Sequence, residues 1–184
     1  MDEAGPLETR IRRGEVTLPG RDGRDWRIRP IRPSDAPSLI RGYAALSDEA
    51  KRFRMLHTVP ALSEAMAARF CAPDPATEVC LVIEGKDDLA GEICGGARIG
   101  GTGPGRAAEF SVSLRPELRG LGLARGALET VIEVARERGC ASVWGTISAR
   151  NVAMLRLADR IGFEIRRDPD DYALRHAEIA LGTG

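Results

Sequence analysis

Lysine is nearly missing from this chain. Of its 27 basic residues only Lys51 and Lys86 are lysines, a skew that reads as compositional bias and carries no function. Histidine is scarce too, with only His57 and His176. The cysteines, Cys71, Cys80, Cys94 and Cys140, show no CxxC spacing and have no histidine close in sequence, so no metal site is expected. Three of them sit in apolar runs, as small buried hydrophobes do, and a reducing, cytoplasmic location fits them. Net charge is absent as well: 27 acidic residues balance 27 basic ones. That balance argues against a dedicated nucleic-acid binder, which is normally basic. The N-terminus opens on Asp2 and Glu3 with no apolar run, so neither a signal peptide nor a membrane span is expected there.

What is present is ordinary globular material, with 43% hydrophobic and 29% charged residues over 184 positions, enough for one domain with a full core. Residues 1–25 are polar and rich in Gly and Pro. They read as a loose or partly ordered arm, with a short strand at Glu15–Leu18 and a hairpin turn at Arg21–Gly23. Residues 26–184 read as a single domain. Its first strand is Trp26–Ile31. Ser34, Ser47 and Ser63 each look like the cap of a helix, ending near Leu46, Met55 and Cys71. The period then changes. Glu78–Glu84, Ala90–Gly100 and Arg106–Leu114 read as strands. The longest helical pattern follows, Gly120–Arg138, with Leu121, Ala124, Leu128, Val131 and Ala135 on one face and Gly139 as its stop. Ser142–Ile147 is a strand, Asn151 caps a helix that Gly162 ends, and Phe163–Ile165 and Ala173–Leu181 close the chain as strands. This order predicts an α/β fold: a central mixed sheet with an antiparallel meander and helices on both faces.

The stretch RGLGLARG, Arg119–Gly126, places three glycines where the long helix opens. Glycine inside a helix costs about 1 kcal/mol relative to alanine. At the first turn it instead lets an anion approach free backbone N–H groups without meeting a Cβ. Arg119 and Arg125 add charge. The alternative is a tight strand-to-helix turn with close packing. A dinucleotide-type GxGxxG is excluded, since Arg125 stands where its last glycine would be. GTGPG, Gly101–Gly105, lacks a following Lys-Ser/Thr and reads as a hairpin connection.

Arg119-x-x-Gly122-x-Ala124 resembles the R/Q-x-x-G-x-G/A signature of the GNAT acetyltransferase superfamily. NVAMLRLADRIGFE, Asn151–Glu164, resembles that superfamily's N-x-x-A/S-x-x-x-Y-x-x-x-GF segment. RPIRPSDAPSLIRGYAALSDEAKRFRMLH, LSEAM, AAEFSVSL and GFEIRRDPDD resemble one branch, the catalytic domain of bacterial Pat-type protein lysine acetyltransferases. The resemblance implies a GNAT-like fold and acetyl transfer from acetyl-CoA to an amine. It implies a CoA pyrophosphate on Arg119, Gly120, Leu121, Gly122, Leu123 and Ala124. It also implies a pantetheine arm along Val112, Ser113 and Leu114, with Asn151 bonding that arm. Asn151 equally serves as a helix cap.

In the resembled branch a glutamate matching Glu109 is the general base. From the sequence alone Glu109 could equally be a solvent-facing strand residue, with Ser111 on its side and Phe110 and Val112 on the other. A base is needed, because at pH 7.4 only about 0.1% of a free lysine side chain is neutral. Many GNAT enzymes carry a tyrosine in the last helix that protonates the leaving thiolate, and here Ala158 stands at that position. Water can take that role for a thiol of pKa near 8.5. The acceptor is expected to be a protein lysine, with AMP-forming acyl-CoA synthetases as targets by resemblance. The alternatives are a small amine, or a catalytically silent acyl-CoA-binding module.

Overall fold

The computed structural model describes residues 5–55 and 59–182. Leu56 and His57 of the resembled opening motif, and Thr58 after it, lie outside the described residues. Fourteen helices and strands are found among those described. They are α1 (Leu7–Arg12), β1 (Thr17–Pro19), β2 (Asp25–Pro30), α2 (Ala36–Ala44), α3 (Asp48–Met55), α4 (Glu64–Phe70) and β3 (Glu78–Glu84). They continue as β4 (Ile93–Gly100), β5 (Ala107–Leu114), α5 (Leu123–Glu137), β6 (Ser142–Ser148), α6 (Val152–Ile161), β7 (Glu164–Arg167) and β8 (Leu174–Ala180). No helix among the described residues is long and apolar enough to cross a membrane.

The strands form one mixed sheet in the order β1-β2-β3-β4-β5-β6-β8-β7. Every neighbouring pair is antiparallel except β5 and β6, which run parallel. The parallel pair arises because α5 crosses over between the two strands. Strands β2 to β5 form the antiparallel meander expected from the sequence. One face carries α1, α5 and α6 over the main core, which includes Ile28, Ile83, Ile99, Leu128, Val131 and Val143. The other carries the layer of α2 and α4, packed through Tyr43, Leu62 and Ala67.

Four expectations are corrected. Residues 7–19 are not a loose arm: they form α1 and β1, and Ile11 and Leu18 lie buried in the main core. A few apolar side chains in a polar segment suffice: Ile11 and Leu18, with Leu7 and Val16 beside them, pack on the main core. The expected strand at Glu15–Leu18 is displaced to Thr17–Pro19, where it pairs with β2. Ser34 does not cap the first helix. Pro33 starts a 3-10 turn, and Asp35 accepts the Arg32 N–H at 2.8 Å instead. Asp35 is claimed by a bidentate bond from Arg29 (2.7 and 2.8 Å), and both side chains are buried. Finally, the buried stripe of α5 runs through Leu123, Ala127, Leu128, Val131 and Ala135, so Ala124 is half-buried and not part of it.

Ser47 and Ser63 do cap, each accepting a backbone N–H three residues on, at 3.2 Å. Gly162 ends α6 at φ +104°, a conformation that favours glycine.

Candidate active site

The site begins with a parting of strands. β5 and β6 pair at Ala107 with Ser142, Ala108 with Val143 and Glu109 with Trp144, and no rung follows among the described residues. On its other side β5 stays paired with β4 as far as Leu114. Val112, Ser113 and Leu114 therefore keep one backbone edge unpaired towards β6. Backbone polar groups seek partners, so this edge suits an extended amide-bearing ligand such as a pantetheine arm. Phe110 fills the inner side of the fork. A Cβ on Gly145 would stand 2.7 Å from its ring, and the ring packs tilted on Phe163 with centroids 5.0 Å apart.

Because β5 and β6 are parallel, both deliver the chain to the same end of the sheet, where the strands have opened. This is where an open α/β sheet offers a crevice for ligands. After β5, the 3-10 turn Pro116–Leu118 and Arg119 lead into the glycine loop. Gly120 and Gly122 have φ +84° and +85°, and a Cβ built on either meets nothing within 4 Å. These glycines serve left-handed backbone and open space at once. Gly122 is the N-cap of α5 and supplies no capping side chain, which leaves the first-turn N–H groups of Leu123, Ala124 and Arg125 available to an anion. The chain's own residues thus fit a diphosphate.

Other residues of the loop divide differently from expectation. Leu123 is fully buried and Leu121 packs against the core, so these two can offer only backbone. Arg125 is held by Glu129 at 2.8 Å, which offsets part of its charge. Gly126 lies inside α5, where a Cβ would come within 3.1 Å of Leu18, so its role is close packing on β1. After β6, Asn151 caps α6 by accepting the Met154 N–H at 3.2 Å.

Glu109 projects from the last paired rung. Its neighbours Ala108 and Phe110 are buried, so Glu109 and Ser111 share the opposite, open face, as alternation predicts. Next along that face, Ser111 and Ser113 line a cavity of about 210 Å³ with Arg98, Gly96, Cys80 and Met55. Arg98 bonds to Glu78. The Ala158 methyl is fully buried in the main core. Tyr43 is buried and donates to the Val59 carbonyl at 2.7 Å, while Tyr172 is 80% exposed before β8. Neither tyrosine belongs to the fork. Burial pushes the Cys94 thiol up to about 11 and raises that of Cys71, which keeps both protonated and poor as nucleophiles.

Two contributors take their roles from contacts that the sequence does not record. The β1–β2 turn braces the glycine loop: the Arg21 N–H donates to the Leu121 carbonyl at 3.0 Å, and Leu18 packs on Gly126. Gly95 and Gly96 are demanded by strand approach, since a Cβ would stand 2.6 Å from the Ser113 oxygen and 2.1 Å from the Leu81 oxygen respectively. The doubled glycine in a strand was the available signal.

Comparison with known proteins agrees with this geometry. An acetyltransferase of Pseudomonas aeruginosa is 29% identical over 160 residues, covering 87% of this chain and 86% of that protein. An L-methionine sulfoximine/L-methionine sulfone acetyltransferase of the same organism is 38% identical over 82 residues, 42% of this chain and 48% of the relative. The crystal structure of the GNAT domain of S. lividans PAT superposes with a TM-score of 0.81 at 28% identity, covering 90% of this chain and 96% of that one. The family model for the acetyltransferase (GNAT) domain matches residues 26–164. On that match, spanning both the fork and the glycine loop, the chain belongs to the GNAT acetyltransferase family and is an N-acetyltransferase that uses acetyl-CoA.

Proposed function

We propose that this chain acetylates lysine side chains of protein substrates, with Glu109 as general base. The observation that carries the reading is the place of Glu109: the last paired rung of the β5–β6 fork, on the open face of the sheet. Acetyl-CoA supplies the acetyl group as a thioester. The first-turn N–H groups of α5, with Gly120 and Gly122, would hold its diphosphate. The free edge of Val112–Leu114 would orient the pantetheine arm so that it runs into the fork. Arg119 adds positive charge beside the cradle, and Asn151 stands at the adjoining end of β6.

Glu109 takes a proton from the incoming ammonium, directly or through one water, and leaves the nitrogen lone pair free to attack. The amide N–C bond forms as the C–S bond breaks; the nitrogen gives its second proton to water, and the departing thiolate takes its proton from water. No tyrosine is required at Ala158 for this. A positioned base contributes roughly 10²–10⁴-fold. Likeness to the GNAT domain of S. lividans PAT over nearly the whole chain supports a protein lysine as acceptor. The local identity with a methionine sulfone acetyltransferase supports a second reading, a small amino-acid acceptor. Family membership weighs against a silent binding module.

The test is intact-mass and peptide mass spectrometry of an AMP-forming acetyl-CoA synthetase incubated with this protein and acetyl-CoA. An acetyl adduct on a lysine, lost with Glu109→Gln, is the expected result. No adduct, together with rapid acetylation of methionine sulfone, would replace this reading with the second.

A further inference from the structure

Trp144 is the register partner of Glu109 at the last rung before the strands part. Val143 and Gly145 on either side of it are buried in the core, so the indole projects to the open face that Glu109 shares. The His176 imidazole stacks on the indole, with ring centroids 5.4 Å apart and planes inclined by 23°. His176 Nε2 stands 3.6 Å from a Glu178 oxygen, and Glu178 is the partner of Trp144 on its other side. A hydrogen bond from Ser142, joined by His176, holds the Glu178 carboxyl below the usual carboxylate range. One rung of the sheet therefore reads carboxylate, indole, carboxylate. The cations in the next rung are engaged elsewhere: Arg98 by Glu78 and Arg166 by Glu164 at 2.7 Å.

We infer that Trp144 is the wall against which the acceptor is positioned, and that its rung selects a primary alkylammonium over a free α-amino acid. The inference rests on the reading of Glu109 as base at the fork. An ammonium is attracted to an indole face, and the methylenes behind it can lie along the same ring. Glu109 and Glu178 flank that path and favour a cation with no anion attached. An α-amino acid would carry its own carboxylate between two others, where like charges repel. His176 and Glu178 act through the indole: the stack, and the contact of His176 with Glu178, fix the angle of the ring. This selection would separate a lysine side chain from methionine sulfone, although both offer a primary amine.

The experiment measures CoA release with two acceptors, Nα-acetyl-lysine methylamide and methionine sulfone. The enzymes are wild type, Trp144→Ala, Trp144→Phe and Glu178→Gln. Acetyl-CoA affinity by calorimetry reports whether each variant is folded. Wild type is expected to prefer the lysine amide. Trp144→Ala should raise its KM for that amide about tenfold, or about 1.4 kcal/mol, with unchanged acetyl-CoA affinity. Trp144→Phe should recover most of the loss, and Glu178→Gln should narrow the preference for the lysine amide. A wild-type preference for methionine sulfone would overturn the inference, as would an unchanged KM in Trp144→Ala. If Trp144→Ala fails to bind acetyl-CoA, an unaltered preference in both Trp144→Phe and Glu178→Gln overturns it. Absence of CoA release from wild type with both acceptors would instead overturn the transfer reading on which it rests.

Discussion

Replacing Gly122 by alanine separates the two reasons for a glycine in the loop before α5. The backbone there has φ +85°, and an L-residue in that region costs about 1–2 kcal/mol. No atom lies within 4 Å of the added methyl, so no clash adds to that cost. The loss of stability should therefore be about 1–2 kcal/mol, a fall in Tm of about 2–8 °C for a chain of this size. Gly139, at the far end of α5, is the matched control. Its φ is +71°, and a Cβ there meets Pro104 only at 3.6 Å, an ordinary contact. Gly139→Ala should lose comparable stability and leave acetyl-CoA affinity alone. Gly122→Ala puts a methyl in the mouth of the cradle and should weaken acetyl-CoA binding at least tenfold by calorimetry. Gly122→Glu, which adds a negative charge, should abolish it. Equal affinity in Gly122→Ala and Gly139→Ala would refute the assignment of this turn to the diphosphate.

Further outcomes follow from the buried pair and the glycine strand. Burial alone would raise the Asp35 pKa, but the Arg29 hydrogen bonds and the Arg32 N–H hold it below its ordinary value. With the folded pKa depressed, its stabilisation is complete above the unfolded carboxylate value, about 3.9, and fades as pH falls through the lower folded value. Asp35→Asn should destabilise the protein at pH 7 by about 1.5–3 kcal/mol in urea unfolding, since it removes the bidentate partner of Arg29 while Glu84, 2.5 Å from the Arg29 Nε, still balances its charge, and it should flatten this acid limb. An unchanged unfolding midpoint would contradict the pair's role. Gly96→Ala must displace the Leu81 carbonyl, which lies 2.1 Å from the added carbon, and should cost about 1–3 kcal/mol or more by thermal unfolding. An unchanged Tm would show that β3 and β4 do not approach so closely.

Legibility in the sequence followed locality. The strand Glu78–Glu84 and the caps Ser47, Ser63 and Asn151 depend on neighbouring residues alone, and they appear where local pattern puts them. The glycine loop was readable for the same reason, since φ > 0 and a helix start are local properties. Ser34 misled because a longer-range partner, Arg29 on β2, recruits Asp35 and resets the turn. The N-terminal residues misled because burial of Ile11 and Leu18 depends on surfaces contributed by β2 and α5, far along the chain. Trp144 falls within the strand expected at Ser142–Ile147. Only the register of the parallel pair sets it beside Glu109, and no spacing in the sequence records that register.

The most direct measurement is the rate of CoA release by wild type and Glu109→Gln with Nα-acetyl-lysine methylamide, alongside the acetyl-CoA affinity of each. The account predicts a fall in turnover of roughly 10²–10⁴ with affinity for acetyl-CoA retained. Equal turnover in the two enzymes would contradict it, and would return Glu109 to the status of a solvent-facing residue on an exposed strand.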